Sequence, residues 1–171
     1  MELTEALKTR YSVRKFADRP VEDEVLTRIL EAGNEAPTGK NNQPQRIYVL
    51  KSPEAIEKIR SLSRCAFNAP VVLLIAYDEN QQWVNPFEEG ITSGQQDVSI
   101  VASHIMLAAW DLGIGTCWVN YFPNTKTAEA FGLPANEKPV LLMPLGWPAA
   151  DSVPSIHHET KKDLSETVTF L

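Results

Sequence analysis

The sequence predicts one domain of mixed helix and strand, with helices laid over a sheet whose strand directions the pattern alone leaves open. Three observations carry that prediction. Helical stripes of apolar residues alternate along the chain with short runs rich in β-branched and aromatic residues. One such run, Ala69 to Tyr77, is apolar almost throughout (Val71-Val72-Leu73-Leu74-Ile75), as expected of a strand covered on both faces. The stripe from Ser93 to Leu112 is long enough to cross a whole domain. No repeat, low-complexity tract or Gly/Ser linker divides the 171 residues, a length that suits one domain with a substantial core.

Met1 to Thr9 reads as a short helix with Leu3, Ala6 and Leu7 inward. The next helix runs from about Val21 to Glu35, with Val21, Val25, Leu26, Ile29 and Leu30 on one face. Glu22, Asp23 and Glu24 suit the positive end of its dipole, and Pro37 stops it. Arg46 to Leu50 is a strand, Pro53 to Leu62 a helix with proline in its first turn, and Ala69 to Tyr77 the central strand. The long helix carries Val98, Val101, Ile105, Ala108 or Ala109, and Leu112 at spacings of three and four. Thr92 with Gln95, or Ser93 with Gln96, predicts a capping box, and Gly113 a C-terminal cap. At 1.5 Å per residue this helix is about 30 Å long. Thr116 to Val119 is a strand, Lys126 to Phe131 a short helix, and Val140 to Leu145 a further strand. Beyond Trp147 the chain is polar and proline-broken, and Val168 to Leu171 is expected as an edge strand.

Composition narrows the function. Hydrophobic residues make up 43% and charged residues 22%, an ordinary globular balance. A net charge of −6, from 16 basic and 22 acidic side chains, argues against broad nucleic-acid binding. Cys65 and Cys117 have no metal spacing and are expected as two buried thiols. The first residues lack the pattern of a signal peptide, and no apolar run approaches the ~20 residues of a membrane span, so a cytoplasmic protein without a membrane partner is expected.

Several familiar chemistries fail on spacing. Gly113-Ile114-Gly115 would put the third glycine of a dinucleotide fingerprint at Trp118, and it follows a helix. Gly39-Lys40 is followed by Asn41, which is not a P-loop, and Gly90 to Gly94 centres no serine for a nucleophile elbow. His104 reads as a packed or interface histidine. His157 and His158 are adjacent, and neighbouring side chains on an extended segment point apart, so no metal is expected. With no nucleophile, base or metal, catalysis here would borrow a cofactor's reactivity. One segment does suit an anionic ligand. Arg10-Tyr11-Ser12-Val13-Arg14-Lys15-Phe16 concentrates three cations and a hydroxyl in an acidic chain.

That segment is followed in order by Ala36-Pro37-Thr38-Gly39-Lys40-Asn41-Asn42-Gln43-Pro44, the long helix from Asp97, Leu112 to Val119 (Leu-Gly-Ile-Gly-Thr-Cys-Trp-Val), and Pro144-Leu145-Gly146-Trp147-Pro148. Together, over nearly the whole chain, these landmarks resemble the short form of the FMN-dependent nitroreductase family. The resemblance implies an α+β fold: a three-layer α/β/α sandwich with a mainly antiparallel central sheet, assembled as a domain-swapped homodimer with FMN at the interface. Residues 1–171 then form a single FMN-binding domain, and residues 150–171 a C-terminal extension packing on the partner subunit.

Carried over by position, Arg10 and Ser12 are expected at the FMN phosphate and ribityl chain, with Tyr11 in the same motif. Arg14 is expected at the pyrimidine edge, where a cation supports the reduced flavin. Asn41 is expected to bond the ring from the second subunit, with Pro37, Thr38 and Gln43 beside it. Trp118, Val119 and Asn120 match the strand end near flavin N5, and Lys161 and Lys162 the basic pair that returns to the phosphate. The implied activity is an FMN-dependent NAD(P)H oxidoreductase that reduces nitroaromatics or quinones by alternating half-reactions, NADH or NADPH being the reductant. The flavin N5 carries the hydride, and no side chain is catalytic. A flavin-binding carrier or redox sensor, and a specialised flavin dehydrogenase or dehalogenase, are the competing readings. For the latter, the stretch from Asp78 to Ser93, with Trp83 and Phe87, is the only cover available, and it is short, which favours an open, permissive site. Three departures stand out: Gln45 replaces an aromatic, Trp147 a tyrosine or histidine, and Asp163 a proline.

Overall fold

A strand apolar on both faces has to lie in the middle of a sheet covered on both sides, and β2 (Val71–Asp78) does. The computed structural model, which describes residues 1–171, pairs it antiparallel with β1 (Gln45–Leu50) on one side and β4 (Glu137–Gly146) on the other. The two-residue β3 (Gly115–Thr116) pairs antiparallel with β4, giving the order β1-β2-β4-β3. The strand directions left open by pattern are therefore all antiparallel.

Helices α2 (Asp23–Asn34) and α4 (Gly94–Asp111) cover one face, where Ile29, Val101 and Ile105 meet Leu73, Ile75, Leu141 and Met143. Helices α3 (Pro53–Leu62) and α5 (Asn124–Phe131) cover the other, with Ile56 and Ile59 against Val72, Leu74 and Leu142. This is the expected three-layer sandwich. Truncating a fully buried member such as Ile105 to alanine costs about 2–5 kcal/mol. No helix is long and apolar enough to cross a membrane.

Several expectations need correction. In α1 (Leu3–Thr9) only Ala6 is buried; Leu3 and Leu7 are 65% and 55% exposed, because the helix touches the body along a single line. No capping box opens α4: the Ser93 hydroxyl donates to Asp97 instead of accepting from the helix. The strand expected over Thr116 to Val119 shrinks to two residues, with Val119 rejoining β4 as an isolated bridge to Leu142. Cys117 is buried, but Cys65 is half-buried. The tail forms no edge strand. Asp163 instead caps the short α6 (Leu164–Thr167), its carboxylate accepting from Ser165 N–H while Glu166 accepts from Asp163 N–H. A residue suited to N-capping stands where proline was expected. From Glu159 onward every residue is exposed in the single chain.

Candidate functional site

Three segments converge at the β3 edge of the sheet. Ser12 bridges Thr116, and Val13 N–H donates to Thr116 O at 2.9 Å. Two links further on, Ala17 N–H donates to Trp147 O and Ala149 N–H to Lys15 O, so residues 12–17 are laced between β3 and the exit of β4. Gly115 makes the crossing possible: a Cβ there would stand 2.5 Å from the Val13 side chain. Tyr11 locks the corner. Its ring meets Trp110 edge-on at 5.3 Å and His158 at 6.3 Å, and its hydroxyl donates to Ser152 O and Oγ. The Tyr11 phenol is thus occupied within the protein.

The cations of this segment divide by what they face. Lys15 pairs with Asp151, and Arg19 pairs with Glu22 while stacking 3.7 Å above Trp147. Trp147, one of the departures, is held by a bond from its Nε1 to Pro20 O. Arg10 and Arg14 have no carboxylate partner; Arg14 Nη1 donates only to Ser12 O, at 3.2 Å. Of the three cations in the Arg10 to Phe16 segment, two guanidinium groups therefore remain uncommitted. Burial pushes the neighbouring Cys117 thiol up, against the pull of the Arg14 charge and the Ser12 hydroxyl, so it stays protonated.

The strand end at Trp118 to Asn120 obeys the period of two. Cys117 N–H donates to Pro144 O, and Val119 exchanges both backbone bonds with Leu142. Val119 N–H is committed to the sheet, while the N–H groups of Trp118 and Asn120 point away from β4 and make no bond within the chain. Trp118 Nε1 donates to Asn120 Oδ1 at 2.8 Å, which aims the Asn120 side chain.

The Pro37 to Pro44 loop is built differently. Lys40, Asn41 and Gln43 all sit in the left-handed region, with φ of 52°, 56° and 52°. Such conformations cost of order 1–3 kcal/mol each and cluster at ligand clamps. Thr38 Oγ1 accepts from Gln43 N–H, and the Gln43 amide donates to Asn41 O, closing the loop on itself with the Asn41 side chain outside. Pro37 is exposed beside it. Gln45, a second departure, donates to Asn34 but leaves its Oε1 buried without a partner.

Sequence reasoning missed the anchor of this loop. Asp97, 3% exposed in the first turn of α4, accepts from Gly39 N–H at 2.9 Å and from the Ser93 hydroxyl at 2.6 Å, which in turn accepts from Trp83 N–H. One carboxylate holds both the loop and, through Ser93, the far end of the Asp78 to Ser93 cover back to Trp83. The available signal was a lone acid opening a helix that then carries no Asp, Glu, Lys or Arg from Val98 to Trp110. At the tip of that cover Phe87 is 95% exposed.

The two groups of residues do not meet within one chain. The loop precedes β1 on one outer edge, next to Tyr77, whereas Ser12 lies beyond β3 on the other, level with Leu145 and Val71. Four strand spacings across and six residues along separate them by roughly 28 Å. Along α4 the anchors, Asp97 and Trp110, are about 20 Å apart. Lys161 and Lys162 are exposed, three and four residues beyond the His158 stack on Tyr11. As a donor set, unpaired guanidinium groups, open N–H groups and a strained Asn-rich loop fit a ligand with both a phosphate and a hydrogen-bonding ring, as FMN has.

An antiparallel sheet between helix layers, with those half-sites at the two ends of a central helix, defines a small α+β sandwich. The chain belongs to the nitroreductase family, whose sequence pattern matches residues 7–68 and 61–147. A protein of Methanothermobacter thermautotrophicus, provisionally named an NADH dehydrogenase/NAD(P)H nitroreductase, is 32% identical over 156 residues, 87% of this chain and 78% of its own length. A nitroreductase family protein of Clostridium difficile has a solved structure similar to this one, with TM-score 0.91 and 37% identity over 99% of this chain and 98% of its own. A provisionally assigned nitroreductase of Exiguobacterium sibiricum, solved in complex with FMN, shares the fold at TM-score 0.84 and 21% identity, covering 100% of this chain and 98% of its own.

Proposed function

We propose that the protein is an FMN-dependent NAD(P)H oxidoreductase that reduces electron-poor acceptors such as nitroaromatics or quinones. One observation carries the assignment: Arg14, without an acidic partner, stands next to Cys117 at the strand end whose Trp118 and Asn120 N–H groups are open, and Arg10, likewise unpaired, lies on the same segment. Membership of the family supports it, as do the oxidoreductase names of relatives and the FMN held by a protein of the same fold.

The same geometry supports a homodimer of single-domain subunits. With half-sites about 20 Å apart along α4, a second copy packed antiparallel on that helix brings one subunit's Asn41 loop to the other's Arg14. The outward face of α4 suits such burial, being uncharged over three turns, with Ile100 39% exposed. The exposed tail, with Leu164 and Phe170 at 74% and 94%, would pack on the partner.

In this assembly Arg10, Ser12 and the Lys161/Lys162 pair bind the phosphate end. Asn41, projecting from its strained loop, orients the ring, and Trp118 and Asn120 offer N–H donors to its far edge. Bound FMN supplies the redox chemistry, taking two electrons and a proton from the nicotinamide as hydride and passing electrons to the acceptor. Arg14 keeps a positive charge where that exchange deposits negative charge, and so favours the electron-rich state without moving a proton. No side chain acts as acid or nucleophile. Mixing purified protein with NAD(P)H under argon bleaches the flavin band if the proposal holds; a band that stays oxidised refutes it.

A further inference from the structure

Immediately beyond Asn120 the surface opens into a cleft of about 360 Å³, lined by Arg64, Asn120, Tyr121 and Phe122. Its floor is built, not incidental. The buried Ser63 hydroxyl donates to Tyr121 O at 2.8 Å and accepts from Cys65 N–H, joining the turn after α3 to the strand end that carries Asn120. Arg64 then places its guanidinium 5.7 Å from the centre of the Tyr121 ring, which is 71% exposed. Arg64 joins no ion pair anywhere in the chain.

An exposed phenol face beside an uncompensated guanidinium recognises a particular chemistry: an aromatic ring carrying a negative group. The ring stacks on Tyr121 while the anion meets the fork of Arg64. In a protein of net charge −6, such ligands are repelled at long range, so one local cation has a large say in which of them enter. We propose that the Arg64–Tyr121 cleft is the specificity subsite of the enzyme, receiving the anionic aromatic part of a substrate whose reacting end lies beside Trp118 and Asn120. This rests on the flavin position proposed above. Two substrates offer the same chemistry: an acceptor such as an aromatic carboxylate, and NADPH, with its adenine ring and 2′-phosphate.

Calorimetric titration of the FMN-loaded protein separates them. One arm compares 4-nitrobenzoate with nitrobenzene, the other 2′,5′-ADP with 5′-AMP, each in wild type, Arg64→Gln and Arg64→Lys. The wild type binds the more anionic member of at least one pair more tightly, by about tenfold. Arg64→Gln abolishes that preference, and Arg64→Lys keeps part of it. The kcat/KM ratio for the same acceptors, or for NADPH over NADH, falls in parallel. Loss in the first arm assigns the cleft to the acceptor, and loss in the second to the reductant. A preference unchanged by Arg64→Gln in both arms, or absent from the wild type, overturns the proposal. Flavin content is read first: a wild-type protein that takes up no FMN refutes the flavin assignment itself, whereas a yellow protein indifferent to Arg64 refutes only the subsite.

Discussion

The two ends of α4 hold their segments by opposite means. At the N-terminal end one buried carboxylate, Asp97, grips a strained loop through Gly39 N–H and the cover through Ser93. At the C-terminal end no buried acid is involved. The Arg10 to Phe16 segment is laced by backbone bonds to Thr116 and Trp147 and wedged by Tyr11 against Trp110. The first arrangement concentrates the load on one residue, while the second spreads it over many. Point substitutions should therefore disturb the loop end far more than the cationic end, and joining the two ends should require a second subunit.

The largest effect is expected where the ends would be joined. Ile100→Arg places a charge in the middle of the uncharged face of α4, and the predicted result is a monomer that has lost FMN, read by light scattering and by flavin absorbance. A monomer that keeps its flavin would break the comparison, since one chain would then close the site alone. Next is Asp97→Ala, which leaves Gly39 N–H and the Ser93 hydroxyl without their buried acceptor. A loss of about 2 kcal/mol and roughly 4–8 °C in Tm is expected, with weakened FMN binding. Arg14→Ala, at an exposed position, should leave Tm in place while weakening FMN about tenfold or more and lowering the flavin midpoint potential. Equal Tm losses for the Asp97 and Arg14 variants would erase the contrast.

A control away from both ends lies on the sheet. Burial, reinforced by the bond to Glu137, pushes the Tyr48 hydroxyl up to about 12 from an ordinary 10. The folded state thus holds this proton more tightly than the unfolded one. The resulting stability is complete below pH 10 and is lost as pH rises towards about 12. Tyr48→Phe should flatten that part of the alkaline unfolding profile, measured by circular dichroism. The smallest effect belongs to Lys15→Ala: its pair with Asp151 is solvent-exposed on both sides, and neither Tm nor FMN affinity should change measurably.

Much of this was legible in the residues. The apolar run at Val71 to Ile75 could only be a central strand, and α3 begins at Pro53 and ends at Leu62 as its pattern indicates. Less was legible where local pattern competes with tertiary partners. Leu3 and Leu7 repeat like buried residues, yet they face outward because a short terminal helix finds no groove in its own chain. Ser93 has the chemistry of a helix cap, but a nearer acceptor, Asp97, takes its hydroxyl. Val119 belongs to a matching motif, but its N–H is spent on Leu142, a consequence of strand register that no motif encodes.

Periodicity and composition by themselves determined the alternation of helix and strand, the central strand, the long helix and the residue types able to meet a phosphate and a ring. They do so because burial and backbone preference act over a few neighbouring positions. Tertiary structure alone decided the antiparallel order of the strands, which cations stay unpaired, which backbone donors stay open, and that Arg10 to Arg14 and the Asn41 loop stand at opposite ends of α4. Those outcomes depend on contacts between residues a hundred positions apart, as between Ser12 and Thr116, and such contacts exist only once the sheet has closed.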